Sequence, residues 1–181
     1  MTAPWASDEP QISPGHTFEE RLLTFEIGDA LFALPIDGIL EVTDMAEVRC
    51  IPTIPPHIAG IVNHHGDALP VVHRHELLGL SEGEPAPCPG SLQSAASLGA
   101  QGTGNSPQIL VITDRCSVTA QLGLPVDRIV GLVAGRASSS QGVDPVAERR
   151  TVNGRVASIL DPRRLILRAR EIIDQAVGGT D

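Results

Sequence analysis

His57–Leu80 reads HIAGIVNHHGDALPVVHRHELLGL and carries two apolar strand-length runs, a glycine-marked turn, a short helical run and five of the six histidines. Ile58–Val62 and Ala68–Val72 are predicted strands on either side of Asn63-His64-His65-Gly66, and Arg74–Leu80 is predicted helical. A weaker copy follows 88 residues later, where Gly66-Asp67-Ala68-Leu69-Pro70-Val71-Val72-His73 corresponds to Gly154-Arg155-Val156-Ala157-Ser158-Ile159-Leu160-Asp161. Leu34-Pro35-Ile36-Asp37-Gly38-Ile39 likewise returns as Leu124-Pro125-Val126-Asp127-Arg128-Ile129 at an offset of 90. A repeat of this length implies two similar β subdomains.

Upstream of this stretch, Arg21–Ile27 alternates as a half-buried strand, Gly28-Asp29 is a two-residue turn, and Ala30–Leu34 returns as the second strand of a hairpin. Ile36–Val42 places apolar side chains at 36, 39, 40 and 42, a spacing that predicts one or two helical turns, which Gly38 weakens by about 1 kcal/mol relative to Ala. Val48–Ile51 is a predicted strand, and the prolines of Pro52-Thr53-Ile54-Pro55-Pro56 keep their predecessors extended. Downstream, residues 81–107 are mostly Gly, Pro, Ser and Ala without apolar period, and read as a disordered linker. Gln108–Thr113 and Val118–Val126 are predicted strands around the turn Asp114-Arg115-Cys116-Ser117. Pro162–Val177 is the strongest predicted helix, with Asp161 as N-cap, Pro162 at the first position and Leu165, Ala169, Ile172 and Ala176 as its apolar stripe. Arg163, Arg164, Arg168 and Arg170 supply most of its polar surface.

Composition narrows the function class. The 181-residue chain has no apolar run of the roughly 18–20 residues that a membrane span needs. Its first residues lack the basic start and apolar core of a signal peptide, so residues 1–19 are expected to be a flexible tail and the compartment cytoplasmic. Cys50, Cys88 and Cys116 are too few and too widely spaced for a disulfide framework. Net charge is -9, with 3 Arg against 14 acids in residues 1–100 and 10 Arg against 8 acids in residues 101–181. An acidic first half and only four aromatic residues argue against a nucleic-acid partner.

His57, His64, His65, His73 and His75 invite a metal or a pH sensor. No carboxylate or thiol completes a familiar ligand spacing, His64 and His65 would face opposite ways on a strand, and His75-Glu76-Leu77-Leu78-Gly79 lacks the second histidine of HExxH, so no metal is assigned. Gly102-Thr103-Gly104 has Pro107 where a phosphate loop needs its last glycine and reads as linker. Cys116 reads as a turn cysteine rather than a nucleophile. Asp37 and Glu41, one helical turn apart, are assigned a solvated or interface role rather than acid/base work. No catalytic residue and no cofactor is expected.

Together these segments resemble the CheW-like domain of bacterial chemotaxis coupling proteins over about residues 20–176. The resemblance rests on Leu23-Thr24-Phe25-Glu26-Ile27-Gly28, Ile39-Leu40-Glu41-Val42, Ile54–Asn63, Gly66 and Leu69-Pro70-Val71-Val72. In the second half it rests on Gly123-Leu124-Pro125-Val126-Asp127-Arg128-Ile129 and Ile159-Leu160-Asp161. It implies a mainly β fold of two SH3-like five-stranded barrels with short helices: a first barrel over about 20–80, the insertion 81–107, a second barrel over about 108–161 and a C-terminal helix over about 162–177. It also implies a non-catalytic adaptor that bridges methyl-accepting chemoreceptors to a CheA-type histidine kinase. By position, Ile39, Glu41, Val42, Asn63, His65, Gly66, Ile129 and Leu132 would be the partner-binding residues, as a few surface aliphatics rimmed by acids.

This chain departs from the family pattern twice. His65 stands where the family commonly has the arginine of Asn-x-Arg-Gly, replacing a permanently charged bidentate donor with an imidazole ring. His73 stands where the family usually has the aspartate that the second half keeps as Asp161, and is the poorer N-cap by about 1 kcal/mol. An alternative reading follows from the histidines: a diverged module that binds a kinase or another partner without receptor coupling, with a histidine-based pH or metal response.

Overall fold

Residues 21–44, 48, 58–80, 108–115, 117–135 and 142–178 are described by the computed structural model. Their strands are β1 (Arg21–Ile27), β2 (Ala30–Pro35), β3 (Ile39–Asp44), β4 (Ile58–His64), β5 (Asp67–Val72), β6 (Gln108–Ile112), β7 (Leu122–Val126), β8 (Arg128–Ala134), β9 (Val146–Val152) and β10 (Arg155–Leu160). A 3-10 turn, Ile36–Gly38, separates β2 from β3, and the helices are α1 (Arg74–Leu78) and α2 (Pro162–Gly178).

The strands form two five-stranded sheets, β8-β1-β2-β10-β9 and β3-β6-β7-β5-β4. The repeat explains both orders at once. Matching β1–β5 to β6–β10 in turn converts one order into the other, so the sheets are two copies of one design. The parallel registers follow the same rule: Ile159 lies opposite Ala33, and Val71 lies opposite Gly123. Gly123 fits closely there: a Cβ would lie 3.0 Å from Val71 Cγ2 and 3.1 Å from Ile109 Cγ2, so those methyl groups would have to shift by a few tenths of an ångström to admit one.

The expected division into barrels at 20–80 and 108–161 is corrected by this pairing. Each half keeps its β-hairpin in one sheet and sends its next three strands to the other. The turn after the hairpin causes the exchange: Pro35 ends β2, the 3-10 turn swings the chain out of the sheet, and β3 pairs with β6. In the second half the single residue Asp127 separates β7 from β8, and β8 pairs with β1.

The predicted helix over Ile36–Val42 is also corrected, since only Ile36–Gly38 is helical and Ile39–Val42 belongs to β3. The predicted strand Val118–Val126 begins at Leu122. Val48 has no regular structure, and the rest of Val48–Ile51 lies outside the described residues, as do the prolines of 52–56, the tail, the insertion 81–107 and all three cysteines.

One shared core joins the sheets. Phe25, Phe32 and Leu34 from the first hairpin and Leu110, Leu122 and Leu124 from the second meet Val72, Leu77, Leu160, Leu165, Ile166 and Ile172 in a single buried cluster. Helix α2 closes it through Leu165, Ile166, Ala169 and Ile172, and α1 packs against α2. Asp161 caps α2 as expected, its Oδ1 accepting from the N–H of Arg163 at 2.9 Å and of Arg164 at 3.2 Å. His73 occupies the corresponding place before α1 without a side-chain capping bond.

Candidate docking surface

The partner-binding residues expected on β3 and β8 fall on matching strands, each at the edge of its sheet. Both strands carry the same irregularity. The pairing of β3 with β6 skips Leu40, and that of β8 with β1 skips Val130, so each strand bulges by one residue at the same repeat position. Strand alternation, unbroken through the shift, sets what each side chain faces. Ile39 and Ile129 pack partly buried against the shared core. Leu40 and Val42 on β3 are 38% and 39% exposed, and Val130 and Leu132 on β8 are 47% and 50% exposed. Two edge strands therefore present the same outward aliphatic pair, beside edges that have no hydrogen-bonded strand partner among the described residues.

Val42 and Leu132 are thus on this surface, whereas Ile39 and Ile129 mainly hold the strands to the core. Leu40 and Val130 were missed. The repeat alone could not have found them, because Leu34 and Leu124 are also aliphatic at an offset of 90 and both are buried.

Glu41, between Leu40 and Val42, turns toward the β4–β5 hairpin. That hairpin closes on the two residues His65 and Gly66, with φ of 51° and 99°. Asn153 and Gly154 close the β9–β10 hairpin with φ of 49° and 80°. Both are tight turns needing two left-handed residues, for which Asn-Gly is the favoured pair. His65 adopts a conformation that suits Asn better. Asn63 steadies the turn, its Oδ1 accepting from the Gly66 N–H at 2.8 Å. The left-handed turn carries the His65 ring back toward β3, where its Nε2 lies 3.1 Å from Glu41 Oε2. His64 Nδ1 lies 3.6 Å from Glu41 Oε1. The inference that His64 and His65 face opposite ways is therefore corrected, because strand alternation ends at His64.

Polar ties between the two halves hold these strands in place. Glu26 on β1 accepts from Arg128 on β8, at 3.0 Å from Nε and 2.7 Å from Nη2, and pairs with Arg155 on β10. Arg155 first, then Arg128, holds the Glu26 carboxyl below the usual carboxylate range. Asp127 accepts from the Gly28 N–H at 2.6 Å and from Arg74 at 2.5 Å, joining the first hairpin to α1. Its repeat partner Asp37 pairs with Arg115 at 3.2 Å, beside the second hairpin. These aspartates pin turns, which is the structural use of the Leu-Pro-aliphatic-Asp repeat.

A sequence model of the CheW-like domain matches residues 21–170. A chemotaxis protein CheW of Treponema pallidum (strain Nichols) is 32% identical over 62 residues, which cover 34% of this chain and 36% of that protein, about a third of each. The crystal structure of scaffolding protein TtCheW from Thermoanaerobacter tengcongensis superposes with a TM-score of 0.58 at 18% identity, over 82% of this chain and 88% of that one. The last likeness is one of fold: two five-stranded sheets of SH3-like form and a C-terminal helix.

Proposed function

We propose that this chain, which belongs to the CheW-like domain family, is a non-catalytic scaffold that couples methyl-accepting chemoreceptors to a CheA-type histidine kinase. The observation that carries the reading is the pair of edge strands β3 and β8 with Leu40, Val42, Val130 and Leu132 turned outward. An unpaired edge with outward aliphatics is a surface on which a related β domain or an apolar helix docks. Two such surfaces on one body allow two partners to be held at once. Each contact is small, and repetition in an array multiplies weak docking into stable assembly. Scaffolding of this kind needs no catalytic residue and no cofactor. Among the described residues no helix is long and apolar enough to cross a membrane, and the proposed place of work is the cytoplasmic side, at receptor tips.

The test is co-sedimentation of the chain with receptor-bearing membranes and kinase. Val42→Glu and Leu132→Glu are introduced separately, at positions exposed enough to leave the melting temperature within about 2 °C of wild type. At least one of them lowers retention of kinase or of receptor ten-fold. Unchanged retention of both partners by both variants overturns the reading.

A second reading, a module that binds a kinase or another partner without receptor coupling, is favoured by His65 at the tip where the family commonly carries arginine. Retention of kinase without receptor in the same experiment selects it, and His65→Arg then restores receptor retention.

A further inference from the structure

We propose that Glu41, His64 and His65 form a binding site for zinc. The three lie on a seam. Strands β3 and β4 are at opposite ends of the second sheet, yet the sheet curls until Glu41 of β3 meets His64 of β4 and His65 of the hairpin tip. The three ligand atoms all lie within 4.8 Å of one another. In a tetrahedral zinc site with bonds of about 2.0–2.1 Å, neighbouring ligand atoms stand roughly 3.3 Å apart. Glu41 Oε2 stands 3.1 Å from His65 Nε2 and Glu41 Oε1 stands 3.6 Å from His64 Nδ1, so each imidazole lies near that spacing from one of the two carboxylate oxygens. The imidazole rings already cluster, with centroids 4.4 Å apart and planes at 63°.

The ligand chemistry selects the ion. Two imidazoles and one carboxylate suit a borderline-soft transition metal and not calcium or magnesium, which prefer oxygen cages. One ligand is fixed and one adjustable: the His64 side chain is 13% exposed, held by the end of β4, whereas that of His65 is 75% exposed and free to swing onto the metal. Three protein ligands leave a fourth position to water.

The fold supplies its own control. At the matching seam of the first sheet, between β8 and β9, the repeat places Gly131, Val152 and Asn153 where Glu41, His64 and His65 stand. None of these provides an imidazole or carboxylate, and that seam is an open cleft lined by Val133, Ala134, Arg150 and Val152. The ligand set thus belongs to one copy of a shared design, so the fold alone does not demand it.

Calorimetric titration of the full chain with zinc chloride near neutral pH tests the proposal without any partner, so its outcome is independent of the scaffold reading. One equivalent binds with micromolar affinity, and X-ray absorption of the bound zinc reports two imidazoles among nitrogen and oxygen neighbours. Glu41→Gln and His65→Asn each weaken binding at least ten-fold. His65→Asn keeps the turn in the form that Asn153 already takes, and circular dichroism verifies that both variants fold. No zinc uptake by the wild type, or wild-type affinity in either variant, overturns the proposal.

Discussion

Substituting Gly38 by alanine puts the union of the two halves under direct strain. Gly38 lies buried in the 3-10 turn that sends the chain from one sheet to the other, and its carbonyl accepts from the Thr113 N–H at 3.0 Å. A Cβ at this position would stand 2.3 Å from Pro162 Cγ and 2.8 Å from Pro162 Cβ. Comfortable carbon–carbon contact begins at about 3.5 Å, so the overlap exceeds 1 Å by this estimate. The proline ring cannot rotate away, and moving it moves the first turn of α2 with Leu165 and Ile166, both buried in the shared core. Overpacking of this kind costs about 1–3 kcal/mol. Alanine opposes it by restricting the unfolded chain, worth about 0.4–1 kcal/mol. The steric term wins, for a net loss of about 1.3 kcal/mol from the central values, and at about 2–4 °C per kcal/mol for a chain of this size the midpoint falls by about 3–5 °C. Thermal and urea unfolding followed by circular dichroism measure it. Pro162→Ala removes the nearest carbon together with the ring that holds Cβ in place, so in that background the cost of Gly38→Ala drops by at least about half, a coupling that a double-mutant cycle reads directly. A Gly38→Ala protein that melts at or above the wild-type temperature, or an equal cost in both backgrounds, refutes the reasoning.

Two further substitutions examine the ties described above. Glu26→Gln removes the charge shared by Arg128 and Arg155 and lowers stability by about 1 kcal/mol at neutral pH. Because Glu26's folded pKa is depressed below 4.5, its contribution is present above the ordinary carboxylate range and lost as pH falls through the lower folded value. The urea midpoints of wild type and variant therefore converge in acid, and a gap that stays constant with pH counts against the Arg155–Glu26–Arg128 tie. His73→Asp gives α1 the capping oxygen that α2 has in Asp161 and raises stability by about 1 kcal/mol, or about 2–4 °C in the melting temperature; an unchanged midpoint shows that so short a helix draws nothing from its cap.

The hairpins, the repeat, the cap at Asp161 and the C-terminal helix were legible in the sequence because each depends on residues close together in the chain. Strand exchange was not legible, since nothing in the composition of β1 says whether β8 or β3 will lie beside it. The helix expected over Ile36–Val42 failed for a local reason. β3 alternates strictly between half-buried and exposed positions, but it carries aliphatic residues on both faces, Ile39 inward and Leu40 and Val42 outward, so apolar positions 36, 39 and 40 mimic a helical period. That alternation separates the outward aliphatics from the inward ones, and in a sequence read as helical Ile39 and Ile129 looked equivalent to Val42 and Leu132. The grouping of Glu41 with His64 and His65 is equally nonlocal: it needs the curl of a sheet whose end strands are β3 and β4.

Strand exchange also sets a timetable for synthesis. The β1–β2 hairpin leaves the ribosome well before Arg128, the first residue of the strand that completes its outer edge. At about 5–20 residues per second the interval is about 5–20 s. Early in it, Phe25, Phe32 and Leu34 wait without most of the side chains that later bury them, and those of α2 are still missing at its end. A nascent or truncated first half therefore offers open strand edges to any neighbour, and two such halves from different ribosomes hold complementary edges for each other. Rapid completion of the second half, or a chaperone bound to the first, decides whether the hairpin closes with its own chain or with another.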